Sequence, residues 1–471
     1  MQIRLKFQSL LSGYSLGGVA FVLYALTGAR TIQWQDSAQF TYRICSGTLW
    51  NEYGLAMVHP FHFWMGRLML RLFPGPDPWA VSLTSALGAA VAVGLLFGCV
   101  KEMTHQKSAA AFGAVSLMLA HSFWRFAGLP EVYTWSAALL LMEVWCYLRL
   151  RQQDRVGAWW LLFFVNGVAL SNHNLALLST AVWGICFLHW CAKDAKRWIH
   201  LPLIGFFWLL GTLPYLLIIG LELKQRGVGE VLHSALFGEQ FKDQVTGLFP
   251  RPNFLLISLG FMLLSFPSLA VPLALRSVRK SPKVPMPLLC ICALHLCFFL
   301  RYNVIDQYTF LIPVYALIAL MAGLGFASLE KGYWRKVATL FLLLQPMIYA
   351  VTPSLARKSG VLVSFERHKP YRDDYAYLFY PWQVQEDSAE RLMQDAFSAV
   401  GSSGGVVIED SMAVYSAGWM RLHLGLEEEL VILRPGALGK DALTPGMVWV
   451  PARDDQDPPE GWQRQGAVWM R

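Results

Sequence analysis

Asp36 lies in Gln35-Asp36-Ser37-Ala38-Gln39-Phe40, just past the end of the first apolar run. A carboxylate beside hydrocarbon is expensive to keep, which makes it a functional candidate by default. Its chemistry is that of a general base: it takes the proton of a hydroxyl as that oxygen attacks the anomeric carbon of a sugar. At the edge of a bilayer such a base suits a sugar carried on a lipid. An Asp here also makes an ordinary cap for a helix over 37–50, and residue type alone leaves both readings open. Glu131, in Leu129-Pro130-Glu131-Val132-Tyr133, follows a proline at a helix start, where an acid also suits the helix dipole. Asp306 follows the short turn Tyr302-Asn303-Val304-Ile305.

A departing lipid phosphate needs cations or N–H donors. Arg43, His59, His62, Arg67, Arg125 and Arg301 are the candidates. Asn172 and His173, in Asn172-His173-Asn174 between two apolar runs, serve a hydrogen-bonded turn or a phosphate contact. Arg125 is close enough in sequence to pair with Glu131. Arg301 and Asp306 flank one turn and could pair with each other, an exposed pair contributing ~0–1 kcal/mol.

The elements that must position these residues are membrane helices. Charged residues make up 15% of the 471, where soluble domains run nearer ~25%, and mean hydropathy is +0.41. The formal charge of +8 records a Lys/Arg bias of inner loops and carries no nucleic-acid inference. A spanning helix needs ~20 mainly apolar residues. About eleven stretches qualify, near 8–28, 79–100, 108–124, 129–149, 156–171, 173–191, 198–221, 253–275, 285–301, 307–328 and 335–351. The first is longer than the apolar part of a usual signal peptide and reads as a retained anchor. Of the cysteines only Cys45 falls in an outer loop, so no disulfide framework is implied. Cys290, Cys292, His295 and Cys297 approach metal-ligand spacing only loosely, and these thiols read as buried packing.

With Arg4 and Lys6 placed in the cytoplasm, each inner connection is basic: Lys101 and Lys107; Arg149, Arg151 and Arg155; Lys193, Lys196 and Arg197; Arg276, Arg279, Lys280 and Lys283; Lys331, Arg335 and Lys336. The same alternation puts Asp36, His59, Arg125, Glu131, His173, Arg301 and Asp306 all on the outer side. The first outer loop, 29–78, is too long for a simple connection, and 37–50 and 61–73 read as amphipathic helices in the interface. The loop 222–252 reads as a cover over a site or an inert surface loop. After residue 351 the composition changes. A helix over 387–400, a strand at 406–408, a helix near 411–424 and strands near 430–433, 447–450 and 467–470 predict a small α/β domain over 352–471.

At these residues a family comes into view. Asp36-Ser37-Ala38-Gln39-Phe40, Val58-His59-Pro60, Gly66-Arg67-Leu68, His121-Ser122-Phe123-Trp124, Pro130-Glu131-Val132-Tyr133-Thr134, Ser171-Asn172-His173 and Asp306-Gln307-Tyr308-Thr309-Phe310-Leu311-Ile312-Pro313 stand in an order that resembles a bacterial multispanning family. That family, long of unknown function, is related to protein O-mannosyltransferases within the GT-C glycosyltransferase superfamily. The resemblance implies a polyprenyl-phosphate-sugar donor, an inverting transfer and Asp36 as base. Two departures stand out. Gln39 replaces the family's usual Glu, against a paired-carboxylate site. Phe61-His62-Phe63 replaces Pro-Gly-Tyr after the His-Pro pair, so acceptor or lipid contacts differ.

The expectation is therefore an α-helical polytopic GT-C-like protein with a small C-terminal α/β extracytoplasmic domain. Residues 1–351 form the transmembrane catalytic domain and 352–471 the outer domain, in a bacterial cytoplasmic (inner) membrane with the tail periplasmic. It is expected to be an enzyme that moves a sugar from a polyprenyl-phosphate donor to a hydroxyl of a protein, glycan or lipid. Asp36 is catalytic. Arg43, His59, His62, Arg67, Arg125, Glu131, Asn172, His173, Arg301 and Asp306 contact substrate. No metal ligand is assigned, a divalent metal requirement is left open, and no nucleic-acid partner is expected. The competing readings are a transporter or flippase of a lipid-linked sugar, disfavoured by nearly charge-free spans with Glu143 the exception, and a membrane scaffold whose tail binds a partner.

Overall fold

A computed structural model describes residues 2–153, 156–280, 284–304, 306–360, 367–400, 405–411, 413–426, 431–433, 446–456 and 461–470. Its helices are α1 (Gln2–Thr27), α2 (Gln35–Ser46), α3 (Pro60–Leu72), α4 (Asp77–Thr104), α5 (Lys107–Met118), α6 (His121–Ala127), α7 (Tyr133–Gln153), α8 (Val156–Asn172), α9 (Ala176–Ala192), α10 (Leu201–Glu222), α11 (Val228–Phe237), α12 (Lys242–Thr246), α13 (Pro252–Ser265), α14 (Ala270–Lys280), α15 (Met286–Arg301), α16 (Ile312–Ala327), α17 (Tyr333–Leu343), α18 (Gln345–Ser359), α19 (Asp374–Phe379), α20 (Ser388–Val400) and α21 (Val414–His423). Every apolar stretch of the sequence is a helix or a broken pair. Among the described residues, Asp77–Thr104, Ala195–Glu222 and Gln307–Ala327 are long and apolar enough to cross a membrane by themselves, and five spans result if each bent pair counts as one.

The breaks have local causes. The stretch read as one span over 253–275 bends by 93° between α13 and α14. Phe266 (φ −133°, ψ 60°) precedes Pro267, whose ring disfavours helical backbone in the residue before it. The stretch 335–351 bends by 47° between α17 and α18, and α18 continues past residue 351 to Ser359. The stretch 108–124 breaks at Leu119-Ala120, so His121 and Arg125 stand on a separate short helix, α6. Residues 129–132 lie ahead of α7, not inside a span. Residues 222–252 hold two helices, α11 and α12.

Close helix packing is licensed by small residues. A side chain on Gly167 would collide with the Trp208 carbonyl, and one on Gly211 with the Phe164 carbonyl, so α8 and α10 touch backbone to backbone. Glu143, midway along α7, is buried and accepts from Asn166 Nδ2 (2.9 Å) and Trp183 Nε1 (2.7 Å), so its lone pairs are met inside the bundle. Cys290 and Cys297 are exposed on α15, not buried as their apolar setting suggested, and a thiol beside lipid costs little. All eight cysteines are free.

The segments joining helices at one end of the bundle are tied to each other. Ala29 N donates to Gly128 O (2.9 Å), Asn174 Nδ2 to Ala235 O (2.8 Å) and Asn303 Nδ2 to Phe249 O (2.8 Å). The C-terminal part packs on this end. Its strands β1 (Gly405–Ile408), β2 (Val431–Leu433), β3 (Val448–Val450), β4 (Gln463–Gln465) and β5 (Val468–Met470) form one sheet in the order β2-β1-β3-β5-β4. β1 pairs parallel with β2 and β3, and β5 pairs antiparallel with β3 and β4. β4 alone was not foreseen: Gln463-Arg464-Gln465 has no apolar alternation. Ile32, Trp34 and Ala38 from the first loop share a core with Leu392, Met393, Val406, Ile408, Ala417, Trp419 and Val448 of the tail.

Candidate active site

Asp36 stands in the first turn of α2, inside the helix. The cap position belongs to Trp34, which makes no side-chain cap bond, so Asp36 is not retained as the cap. Gln35, immediately before it, has φ of 59°. Left-handed backbone costs a residue with a Cβ roughly 1–2 kcal/mol, so neighbours must hold it. Next to Asp36, the Ser37 hydroxyl donates to Glu131 Oε1 (3.0 Å). Glu131 is itself pinned to α4: its N–H donates to Ser85 Oγ (2.8 Å), and that hydroxyl donates to the Glu131 carbonyl (2.8 Å). It lies just ahead of α7, outside the first turn of that helix. Asp306 precedes a 3-10 turn over Gln307–Leu311, with its carbonyl accepting from Thr309 N (2.9 Å).

The three acids feel one another. Burial, and then the charge of Asp306, push the Asp36 carboxyl up to about 7. Burial and then Asp36 raise Glu131 well above the usual carboxylate range, against the pull of the Ser37 bond and the Arg125 charge. Burial raises Asp306, offset in part by its own backbone and by the Arg367 guanidinium. A carboxyl near neutrality is suited to taking up and giving back a proton at neutral pH.

The cations nominated from sequence are mostly committed elsewhere. Arg43 is buried with its guanidinium on the carbonyls of Leu49, Trp50 (3.0 Å), Met57 (3.2 Å) and Val58 (3.0 Å), where it ties the first loop together. Arg67 Nη1 caps the end of α2 through the Ile44 (2.9 Å) and Cys45 (3.3 Å) carbonyls. Arg125 is buried, bonded to the Tyr377 carbonyl and 4.5 Å from the Tyr377 ring centroid. Arg301 is exposed on the carbonyls of Gly247 (3.1 Å) and Thr246 (3.4 Å), with no ion pair to Asp306 among the described residues.

The imidazoles are neutral. His59, in left-handed backbone (φ 51°) ahead of Pro60, donates from Nδ1 to Asn172 O (2.8 Å) and stacks on His173 at 5.2 Å. Burial, and then His173, lower its affinity for a second proton. His173 accepts from Leu175 N at Nδ1 (3.0 Å), so in its neutral form Nε2 carries the hydrogen and is a donor. Burial lowers it to about 4. His62 is buried against Phe40 with neither ring nitrogen partnered, and burial lowers it to about 3. Asn172 braces the loop before α7 by donating to Val132 O (3.1 Å) and Ser136 Oγ (3.0 Å).

Arg367 was not singled out from sequence. It lies where its charge acts on Asp306, and no hydrogen bond or ion pair of its side chain occurs among the described residues. The signal was available in Arg367-His368-Lys369, a basic run soon after the last span. Among the described residues no three acidic, imidazole or thiol groups gather as a metal-ligand set.

The sequence pattern of dolichyl-phosphate-mannose-protein mannosyltransferase matches residues 58–219. No curated protein sequence matches the chain. The ArnT of Cupriavidus metallidurans, crystallised with undecaprenyl phosphate, superposes with a TM-score of 0.61 at 15% identity over 92% of both chains. Its apo form superposes with a TM-score of 0.55 at 17% identity, over 87% of this chain and 71% of that one. The apo oligosaccharyltransferase of Archaeoglobus fulgidus gives a TM-score of 0.47 at 13% identity, over 90% and 64%. At these identities the likeness to the solved structures is one of fold. The chain shares the fold of the ArnT structures, and its residues 58–219 match the pattern of the dolichyl-phosphate-mannose-protein mannosyltransferases.

Proposed function

We propose that the protein is a glycosyltransferase that takes a sugar from a polyprenyl-phosphate carrier and joins it to an acceptor hydroxyl in one inverting step. The observation that carries this is Asp36, raised to about 7 beside Glu131 and Asp306 at the loop end of a GT-C bundle. In the step, the acceptor oxygen forms a bond to the anomeric carbon and its proton passes to Asp36. The bond from that carbon to the phosphate oxygen breaks on the opposite face, and the electron pair leaves with the polyprenyl phosphate. Arg367, the unpartnered Arg125 Nε–H and the His173 Nε2–H are among the groups with donors left to receive that anion. Glu131 and Asp306 orient the acceptor or sugar hydroxyls. A polyprenyl-phosphate carrier agrees with the undecaprenyl phosphate found on the ArnT relative.

The acceptor belongs to the class of protein, glycan or lipid hydroxyls. The basic inner connections favour a bacterial cytoplasmic membrane with residues 352–471 outside it. Purified protein with a polyprenyl-phosphate sugar and acceptor should transfer the sugar, and Asp36→Asn should stop transfer while still binding donor. Sugar flux across proteoliposomes without transfer would replace this reading with that of a flippase.

A further inference from the structure

The residues that lead into Asp36 are held by the tail of the chain. Thr31 Oγ1 donates to Glu386 O (2.6 Å), Ile32 N to Glu390 Oε2 (3.3 Å) and Gln33 Nε2 to Glu386 O (3.1 Å). Trp34 Nε1 donates to Ser388 Oγ (2.8 Å), and Ser416 Oγ donates to Gln33 O (2.9 Å). Lys369 Nζ lies 5.5 Å and the Arg372 guanidinium 5.7 Å from the Trp34 ring centroid. Lys369 also bonds to Asp410 and to Ala452 O (2.9 Å), just past the ends of β1 and β3, which fastens this stretch to the sheet. Along α2, Tyr42 lies against Gly418 and Tyr415 of α21. These contacts converge on the left-handed turn at Gln35, one residue before the acid.

We propose that residues 367–400, 405–411 and 413–426 act as the mount that sets the aim of Asp36, with Trp34, Ser388 and Ser416 as positioning residues. The idea rests on Asp36 being the base. The mount fixes the turn at Gln35, and that turn fixes the direction of the first Asp36 side-chain bond. Without it the acid remains present at the same depth but points away from the acceptor hydroxyl. A carboxylate misplaced by about 1 Å loses on the order of a hundredfold in rate.

The test uses full-length protein carrying Trp34→Phe, which keeps an aromatic ring but removes the indole N–H, and separately Ser416→Ala. Two measurements are made on each. Hydrogen exchange should show amide protection over 31–37 reduced at least tenfold, with α4 unchanged. In donor-limited transfer assays kcat should fall at least tenfold with KM for the donor within twofold, and the acid limb of the kcat–pH profile should move. Unchanged exchange would show that other contacts hold the turn, and loosened exchange with unchanged kcat would show that the turn does not aim the acid; either result overturns the proposal. Full transfer activity in Asp36→Asn would instead remove the catalytic reading, while the exchange experiment would still report on the mount. If either variant fails to fold, Ser388→Ala replaces it with the same two readouts.

Discussion

Replacing Asp36 with Asn separates the cost of the acid from its use. The carboxyl stands at about 7 in the folded protein and at 3.8 when unburied. A folded-state value above the unfolded one means stability is complete below about pH 4 and drains away as pH rises through 7. At roughly 1.4 kcal/mol per unit, the wild-type acid costs up to about 2 kcal/mol at pH 5 and about 4 kcal/mol at pH 8, and these are ceilings because Asp36 is half-buried. Asn is uncharged throughout. Asp36→Asn should therefore melt above wild type in detergent, by a margin that widens from pH 4 to 7 and is flat beyond. The same variant should lose 10²–10⁴-fold in transfer, the range for removing a general base. Purified protein would be melted at pH 5 and pH 8 and assayed with a polyprenyl-phosphate sugar. A margin indifferent to pH would refute the electrostatic argument, and retained transfer would refute the assignment of the base.

The transfer rate itself should rise with pH through an apparent value near 7, read from kcat–pH profiles, because only the ionised acid accepts a proton. Asp306→Asn removes the charge that, after burial, holds Asp36 up, so that limb should shift to lower pH. Arg43→Met strips the support from four first-loop carbonyls and should lower the melting temperature sharply, because bonds to buried charged groups are worth roughly 1.5–3 kcal/mol each. Gly167→Leu should prevent α8 from closing on α10, seen as loss of monodisperse protein on gel filtration, whereas Gly184→Ala, with open space around it, should not.

Much of the bundle was legible because apolar runs and basic connections report membrane helices directly. The bends were not, since hydropathy averages across Phe266-Pro267 and reads a continuous span. Asp36, Glu131 and Asp306 were each visible as acids at helix mouths, and the alternation of loops put them on one side. Their mutual influence was not visible, because it depends on Ser37 and Ser85 clamping two distant loops together. The arginines misled for a related reason. Sequence marks a positive charge but not the carbonyls that occupy it, and Arg43, Arg67 and Arg125 all have such carbonyls. Arg367 passed unnoticed because it lies past the last span, in a stretch taken as the lead-in to a separate domain. The tail's strands were readable from their apolar runs, but Ile32 and Trp34 joining its core was not.

That shared core has a bearing on biogenesis. Trp34 and Ser388 are 354 positions apart, and Gln33 and Ser416 are 383 apart. At about 5–20 residues per second, the first loop waits roughly 20–80 s of translation for its partners. During that interval the indole N–H of Trp34 lacks its eventual partner, Ser388. If the tail aims Asp36 as proposed, a message cut short after the final apolar helix yields an inert protein, and working copies come only from chains read nearly to completion.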